Sequence, residues 1–456
     1  MKESVVILGS GESGVGAAIL AVKNHYDVFV SDLGIIPSKT KQKFDELGVM
    51  FEEKQHTFNL IKKADTIIKS PGISEDSTLI KDLKTQGVVI ISEIEFAFRH
   101  ISHEAKIIGI TGTNGKTTTA LLTYHLLKEA GFNVALAGNV GYSLAKKVAE
   151  KKYDLYVVEI SSFQLDDIIE FKPDISILLN ITPDHLDRYD NNFKRYVASK
   201  FRMIENVTSK SSFIYCEDSS AVVEEVNNRN ITASLFAVSA TTHSKKGAFI
   251  DRNHLIFNVE KQTNKEAIPL TDIPLIGLHN KMNAMFAVLC AMRLEIPFNK
   301  ISEHIKSFEN APHRLEIVAV IDQVKFINDS KATNVDAVCS ALEGIKESII
   351  WIAGGIDKGN DYSVLDEWVD QKVRGIVSLG KDNIKIENHF KGKVSFMSHA
   401  SSMSEAIKKG REFASPGDVV LLSPACASFD MFQNYEDRGN QFKEAVRLLN
   451  FKSANT

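Results

Sequence analysis

Residues 110–120 read ITGTNGKTTTA, with a lysine and a run of hydroxyls directly behind a glycine turn. That combination suits one task, holding phosphate. Backbone N–H groups and the positive end of a helix face the anion, a lysine reaches the terminal phosphates, and a hydroxyl can hold Mg2+. The residues concerned are Gly112, Thr113, Asn114, Gly115, Lys116, Thr117 and Thr118. The common rule asks for Gly, four residues, then Gly-Lys-Ser/Thr. Here its first glycine is missing: position 110 is Ile110, and a glycine stands at 112 instead. A metal on bound phosphate also needs an acid at a nearby strand end. The apolar run LYVVEI, residues 155–160, supplies Glu159, and the next strand leads into TPDHLDRY, which puts His185 on the same sheet edge.

The segment that follows carries a misplaced charge. Phe193, Val197, Phe201 and Ile204 form one helical stripe with Tyr196 beside them, and Lys200 falls on that stripe. A lysine facing a core is costly unless it is partnered or neutral. Two readings stay open: the amine snorkels to solvent, or burial lowers its pKa. A neutral amine could take up CO2 as a carbamate and offer its oxygens to Mg2+.

Two further groups of residues face a sheet edge. GSGESGVG, residues 9–16, satisfies the dinucleotide fingerprint after a strand, with Asp32 ending the next strand. A second loop, KSPGIS at 69–74, also follows a strand, so two turns could flank one diphosphate. Near the other end of the chain, NDSKATN (328–334), GGIDKGND (354–361) and SPACASFDMFQNYEDRG (423–439) each follow an apolar strand. Lys331, Lys358, Thr333 and Ser428 in these loops suit a small dicarboxylate.

The elements that must position these groups alternate as short β-branched runs and helical patterns, which predicts parallel sheets of βαβ units. At about 150 residues per domain, the 456 residues suggest three domains. Asn-Ala-Pro at 310–312 is the expected linker before the last of them. A hydrophobic content of 44% with 25% charged residues is ordinary for a globular protein. The net charge of −4 and the lack of a basic run argue against a nucleic-acid-coating surface. Four scattered cysteines form no CxxC pair, and no apolar run reaches membrane length. A cytoplasmic protein is expected.

The words TGTNGKTT, EISSFQL, TPDHLDRY, HNKMNA, PHRLE, NDSKATN and LLSPACASFD together resemble the Mur ligases, from the first glycine loop to about Gly439. The family pattern T-G-T-N-G-K-S/T has its glycine where Gly112 stands. The resemblance implies an α/β fold of three domains: a Rossmann-like UDP-substrate-binding domain (1–102), a central P-loop ATPase domain with a mostly parallel sheet (103–311), and a Rossmann-like amino-acid-binding domain (312–456). It implies ATP-dependent addition of D-glutamate to UDP-N-acetylmuramoyl-L-alanine through an acyl phosphate, by a monomer that needs neither nucleic acid nor membrane. Lys116, Glu159, His185 and Lys200 match the catalytic positions. Thr117, Glu159, His185 and carbamylated Lys200 match the shell of a pair of Mg2+ ions. Asn280 and Asn283 match the adenine side, Arg314 and Asp329 the ribose and phosphates, and Lys331 the transferring phosphate. Thr333, Lys358 and Ser428, with Tyr435 nearby, match the D-glutamate site. Gly14, Asp32, Ser70, Gly72 and Asn139 match the UDP side. The chain departs from the pattern at Glu12 and Ser13, where the uracil contacts are expected, and at Tyr435, usually Phe. Three rival readings remain: an NAD-linked dehydrogenase, a P-loop switch or motor, and a sibling ligase for another amino acid.

Overall fold

The computed structural model describes residues 2–244, 246–259, 266–357 and 359–453. The chain divides into two compact units, the first comprising residues 1–273 and 282–308, the second 274–281 and 309–456.

Within the first unit, the strands β1 (Ser4–Leu8), β2 (Asp27–Asp32), β3 (Met50–Glu53), β4 (Thr66–Lys69) and β5 (Val89–Ser92) form a sheet in the order β3-β2-β1-β4-β5, and every pair is parallel. The order reverses between β1 and β4, so the loops after those two strands flank the crevice where such sheets take ligands. This is the juxtaposition expected for GSGESGVG and KSPGIS.

The same unit holds β6 (Lys106–Thr111), β7 (Val134–Gly138), β8 (Leu155–Glu159), β9 (Ile175–Leu178), β10 (Ser212–Cys216), β11 (Ser234–Ser239), β12 (Gly247–Asp251), β13 (His254–Asn258) and β14 (Glu266–Pro269). They order as β14-β13-β12-β11-β10-β9-β6-β8-β7. The core of this sheet is parallel, as expected for runs buried on both faces; β6 and β8 pair with Ile110 opposite Glu159. The β12–β13 and β13–β14 pairs are antiparallel. A short turn with Arg252 at φ +51° makes the first reversal, and a turn this short cannot carry a crossover.

In the second unit, β15 (Glu316–Ile321), β16 (Val324–Asn328), β17 (Ile349–Ala353), β18 (Val373–Leu379), β19 (Phe396–Ala400) and β20 (Val419–Leu422) order as β15-β16-β20-β17-β18-β19. The β15–β16 hairpin is antiparallel, closed by Asp322 and Gln323 at φ +47° and +63°. The remaining pairs are parallel. Trp351 and its strand neighbours are fully buried, which is why IIWIA reads as a continuous apolar run.

One buried carboxylate ties the first sheet's last helix to the second sheet's loop at 169–171. Glu95, in the helix Glu93–Phe98, is wholly buried, and its Oε2 accepts the N–H groups of Ile169, Glu170 and Phe171 at 2.9, 3.0 and 2.9 Å. Its Oε1 accepts Arg99 Nε at 2.9 Å. Removing the acceptor would leave the buried Phe171 N–H and the part-buried N–H groups of Ile169 and Glu170 without this partner, at about 1–3 kcal/mol. Glu95→Ala is therefore expected to lower the melting transition of the first unit by several degrees. An unchanged melt would mean that those N–H groups find other acceptors.

Candidate functional site

The phosphate loop is assembled from β6, the helix Lys116–Glu129 and the segment after β9. Gly115 caps the helix in a left-handed conformation, φ +86°. The Thr113 N–H donates to Asn180 O at 2.8 Å, the Asn114 N–H to Asn180 Oδ1 at 2.8 Å, and the Thr113 hydroxyl to Thr182 O at 3.1 Å. Asn180, which the sequence did not single out, thus templates the loop. Lys116 Nζ donates to the carbonyls of Gly112 and Thr113 at 2.9 and 2.7 Å. Thr117 and Thr118 follow on the first turn of the helix, Thr118 buried.

Lys200 answers its open question by position. It is 2% exposed, its Nζ donates to Gly112 O at 2.8 Å, and it lies 4.6 Å over the Tyr196 ring. It does not snorkel. Burial first, and then the nearby charge of Lys116, push its pKa well below the usual lysine value. Glu159 ends β8 with 2% exposure; its Oε1 accepts Asn139 Nδ2 at 3.2 Å, while Oε2 is buried with no hydrogen-bond partner among the described residues. His185 is left-handed at φ +51°, its Nε2 lies 3.7 Å from Asp184 Oδ2, and its ring packs edge-on against Phe163. A cavity of about 320 Å³ joins these groups: Gly72, Lys116, Asn139, His185 and Lys200 all line it, with Ser161, Phe163 and Arg188. Glu159 reaches the site through Asn139 rather than as a lining residue.

Among the described residues, no three His, Cys, Asp or Glu side chains converge as a ready-made metal centre. The partnerless oxygen of Glu159 nevertheless fits a hard cation that draws its other ligands from phosphate and water.

On the N-terminal sheet, Gly14 sits where its helix crosses the loop: an added Cβ would fall 2.0 Å from Gly9 O. Asp32 Oδ2 accepts both the N–H and the hydroxyl of Ser10 at 2.6 Å, and Oδ1 accepts the Gly34 N–H at 2.7 Å. Burial pushes this carboxyl up, but the bonds from Ser10 and Gly34 outweigh it and hold the pKa below the ordinary range. Asp32 therefore shapes the glycine loop directly. The Ser70 N–H donates to Leu8 O at 3.0 Å, setting the second loop beside the first.

Two residues missed by motif reading anchor that second loop. Arg188 donates to the carbonyls of Pro71, Gly72 and Ile73 at 3.1, 3.3 and 3.4 Å and stacks 4.6 Å over Phe163. Lys69, 2% exposed, pairs with Asp167 at 2.9 Å and Glu75 at 2.8 Å. Arg188 stands three residues after His185, and a second cation in TPDHLDRY was the available signal.

In the second unit, the loops after β16, β20 and β17 lie side by side, because those strands are neighbours. Asp329 is buried, accepting Ser423 Oγ at 2.9 Å and the Leu315 N–H at 3.2 Å. Lys331 Nζ lies 3.6 Å over the Tyr435 ring. Ser428 is buried and Thr333 half-buried. Arg314 is half-buried in the bend just before β15. Asn280 is buried, its Nδ2 donating to Ile276 O at 2.7 Å. Asn283 belongs to the first unit, its side chain against Gly115. Lys358 lies outside the described residues.

Known families match along the chain. The Mur ligase middle domain matches residues 110–291, the glutamate ligase domain of Mur ligases 313–426, and the MurD N-terminal domain 4–79. The UDP-N-acetylmuramoylalanine--D-glutamate ligase of Cytophaga hutchinsonii is 47% identical over 450 residues, 98% of this chain and 99% of that protein. The protein of the same name from Christiangramia forsetii is 47% identical over 449 residues, 98% of this chain and 100% of its own. Among solved structures, the UDP-N-acetylmuramate-alanine ligase MurC of Thermotoga maritima shares the fold with a TM-score of 0.61 at 17% identity, covering 98% of this chain and 99% of that one. MurF of Acinetobacter baumannii does so with 0.62 at 14%, covering 96% and 93%. These findings define the class, an ATP-dependent ligase of peptidoglycan precursor synthesis. The chain belongs to the Mur ligase family.

Burial raises the Asp329 carboxyl to about 7, outweighing the Ser423 hydroxyl, the Leu315 N–H and the charge of Arg314. The folded state then holds a proton that the unfolded chain releases near its ordinary carboxylate value. Stability from this group is present at low pH and is lost as pH rises toward about 7. Melting wild type and Asp329→Asn side by side from about pH 5 to about pH 7.5 should show the wild type losing ground to the variant. A pH-independent difference would exclude a protonated Asp329.

Proposed function

We propose that this protein joins D-glutamate to UDP-N-acetylmuramoyl-L-alanine at the expense of ATP, acting as a cytoplasmic monomer. The observation that carries the substrate assignment is full-length identity of 47% to relatives named for that reaction. The chain divides for this task into a UDP-substrate domain (1–102), a P-loop domain (103–311) and an amino-acid domain (312–456).

The first step brings together two anions, a substrate carboxylate and a nucleotide triphosphate, so neutralisation and positioning dominate. Lys116 exchanges its bonds to Gly112 and Thr113 for bonds to phosphate oxygens. Gly112, Thr113, Asn114, Gly115, Thr117 and Thr118 cradle the phosphates, Asn280 and Asn283 receive the adenine, and Arg314 and Asp329 the ribose and phosphate side. Gly14, Asp32, Ser70, Gly72 and Asn139 receive the UDP-linked acceptor. Thr117, Glu159, His185 and Lys200 as its carbamate would hold Mg2+, which supplies charge neutralisation on the phosphates. The Lys200 amine, buried and depressed in pKa, is the nucleophile for CO2, and each carbamate formed releases one proton. Lys331 steadies the transferring phosphoryl group. The amine of D-glutamate, its carboxylates held by Thr333, Lys358 and Ser428 beside Tyr435, attacks the acyl phosphate; phosphate leaves from the tetrahedral intermediate.

Phosphate release measured with ATP, Mg2+ and UDP-N-acetylmuramoyl-L-alanine across a panel of amino acids should depend on D-glutamate and yield the matching product mass. Dependence on another amino acid would move the protein to a sibling reaction, and release with no amino acid would favour a switch or motor. For the carbamate, Lys200→Ala is expected to lose nearly all activity and to regain part of it with short carboxylic acids. Absence of rescue, with no added mass on Lys200 in the wild type, would leave a plain buried amine.

A further inference from the structure

Arg438 stands in the first turn of the helix Tyr435–Ser453 and is 1% exposed. Its Nε donates to Ser330 Oγ at 3.0 Å, one terminal nitrogen to Ser330 O at 2.9 Å, and the other to Cys426 O at 3.1 Å. Among the described residues no carboxylate forms an ion pair with it, Asp430 acting only from a distance. Burial lowers its pKa to about 10, so the guanidinium stays charged at neutral pH. A wholly buried cation facing only carbonyls and a hydroxyl is expensive to keep.

Its partners explain where that charge is placed. Ser330 lies in NDSKATN, one residue before Lys331 and three before Thr333; Cys426 lies in SPACAS, two residues before Ser428. The Ser330 hydroxyl passes its bond on to Tyr435 O at 2.8 Å. The loop after β17 joins the same frame through Asn360 Nδ2, which donates to Ala425 O at 3.0 Å. One guanidinium therefore sets the spacing of two loops, and a third is tied to the turn that it holds. Its planar fork suits this, because its donors have a fixed relative direction that a lysine lacks.

We propose that Arg438 is the positioning and specificity-determining residue of the amino-acid site. It holds the Ser330 and Cys426 turns in register, and its uncompensated charge favours an amino acid with two carboxylates. In a poorly screened interior such a charge acts over several ångströms. This proposal rests on the reading that Thr333, Lys358 and Ser428 receive D-glutamate.

The test compares full-length wild type, Arg438→Met and Arg438→Lys in steady-state phosphate release, with D-glutamine as a competing ligand. Arg438→Met is expected to raise KM for D-glutamate at least about tenfold, while KM for ATP and for the UDP substrate changes less than about threefold. D-Glutamine, with one carboxylate fewer, should lose less affinity than D-glutamate. Arg438→Lys keeps the charge without the fork and should fall between the other two; it decides the matter if Arg438→Met does not fold. Equal rises in all three KM values, or equal losses for glutamate and glutamine, would reduce Arg438 to a structural residue. An unchanged KM for D-glutamate would overturn the proposal outright. A wild type that does not use D-glutamate would instead sink the parent reading.

Discussion

Two lysine amines converge on one carbonyl oxygen. Lys116 and Lys200 both donate to Gly112 O, at 2.9 and 2.8 Å, and they approach it from different helices. A single carbonyl cannot offset two full charges at this range in a buried setting. Lys116 lines the cavity; Lys200, 2% exposed, is the one whose pKa burial depresses. Two lysines that meet at one carbonyl therefore differ in setting, one at the cavity and one buried with a depressed pKa. Asn180 holds the loop, the Tyr196 ring faces the Lys200 amine, and Glu159 on the adjoining strand presents an oxygen that has no hydrogen-bond partner among the described residues.

Burial is used with the opposite sign in the other unit. There it raises an acid, Asp329, instead of depressing a base, while it leaves charged Arg438, which bonds the next residue, Ser330. The outcomes differ because the intrinsic values differ. A guanidinium starts so high that desolvation cannot discharge it near neutrality, whereas an aspartate starts low enough to be moved into the physiological range. The same burial thus mutes one anion and retains one cation within a single unit.

What could be read from the sequence follows the same physics. Periodicity placed Lys200 on an apolar face, and Gly-Lys-Thr after an apolar strand marked the helix start, because both signals are local. The parallel core strands were legible as apolar runs such as IIWIA, buried on both faces. The hairpins at β12–β14 and β15–β16 were not. Ile317 and Val320 are exposed on an edge strand, so β15 lacks the apolar continuity that marked its neighbours. Residues 274–281 group with the second unit although they stand ahead of the expected linker, a return that no local pattern announces. Arg188, Asn180 and Arg438 escaped for one shared reason. Each acts on backbone carbonyls or N–H groups distant in sequence, and backbone partners leave no mark on composition or spacing.

The displaced glycine of the phosphate loop can now be understood from its surroundings. Ile110 is wholly buried and paired with Glu159 on one side and Ile177 on the other, so a side chain is wanted there. The strand continues to Thr111, and the chain turns only at the next residue. Gly112 adopts φ +151°, and an added Cβ would lie 3.0 Å from Leu179 Cβ and 3.3 Å from the Asn180 backbone. The same conformation aims its carbonyl at both lysines. Glycine is required where the carbonyl must turn, and that point is fixed by the lysines it serves and not by a count back from Gly115. A P-loop whose first duty includes holding a second, buried lysine therefore has reason to carry its glycine late.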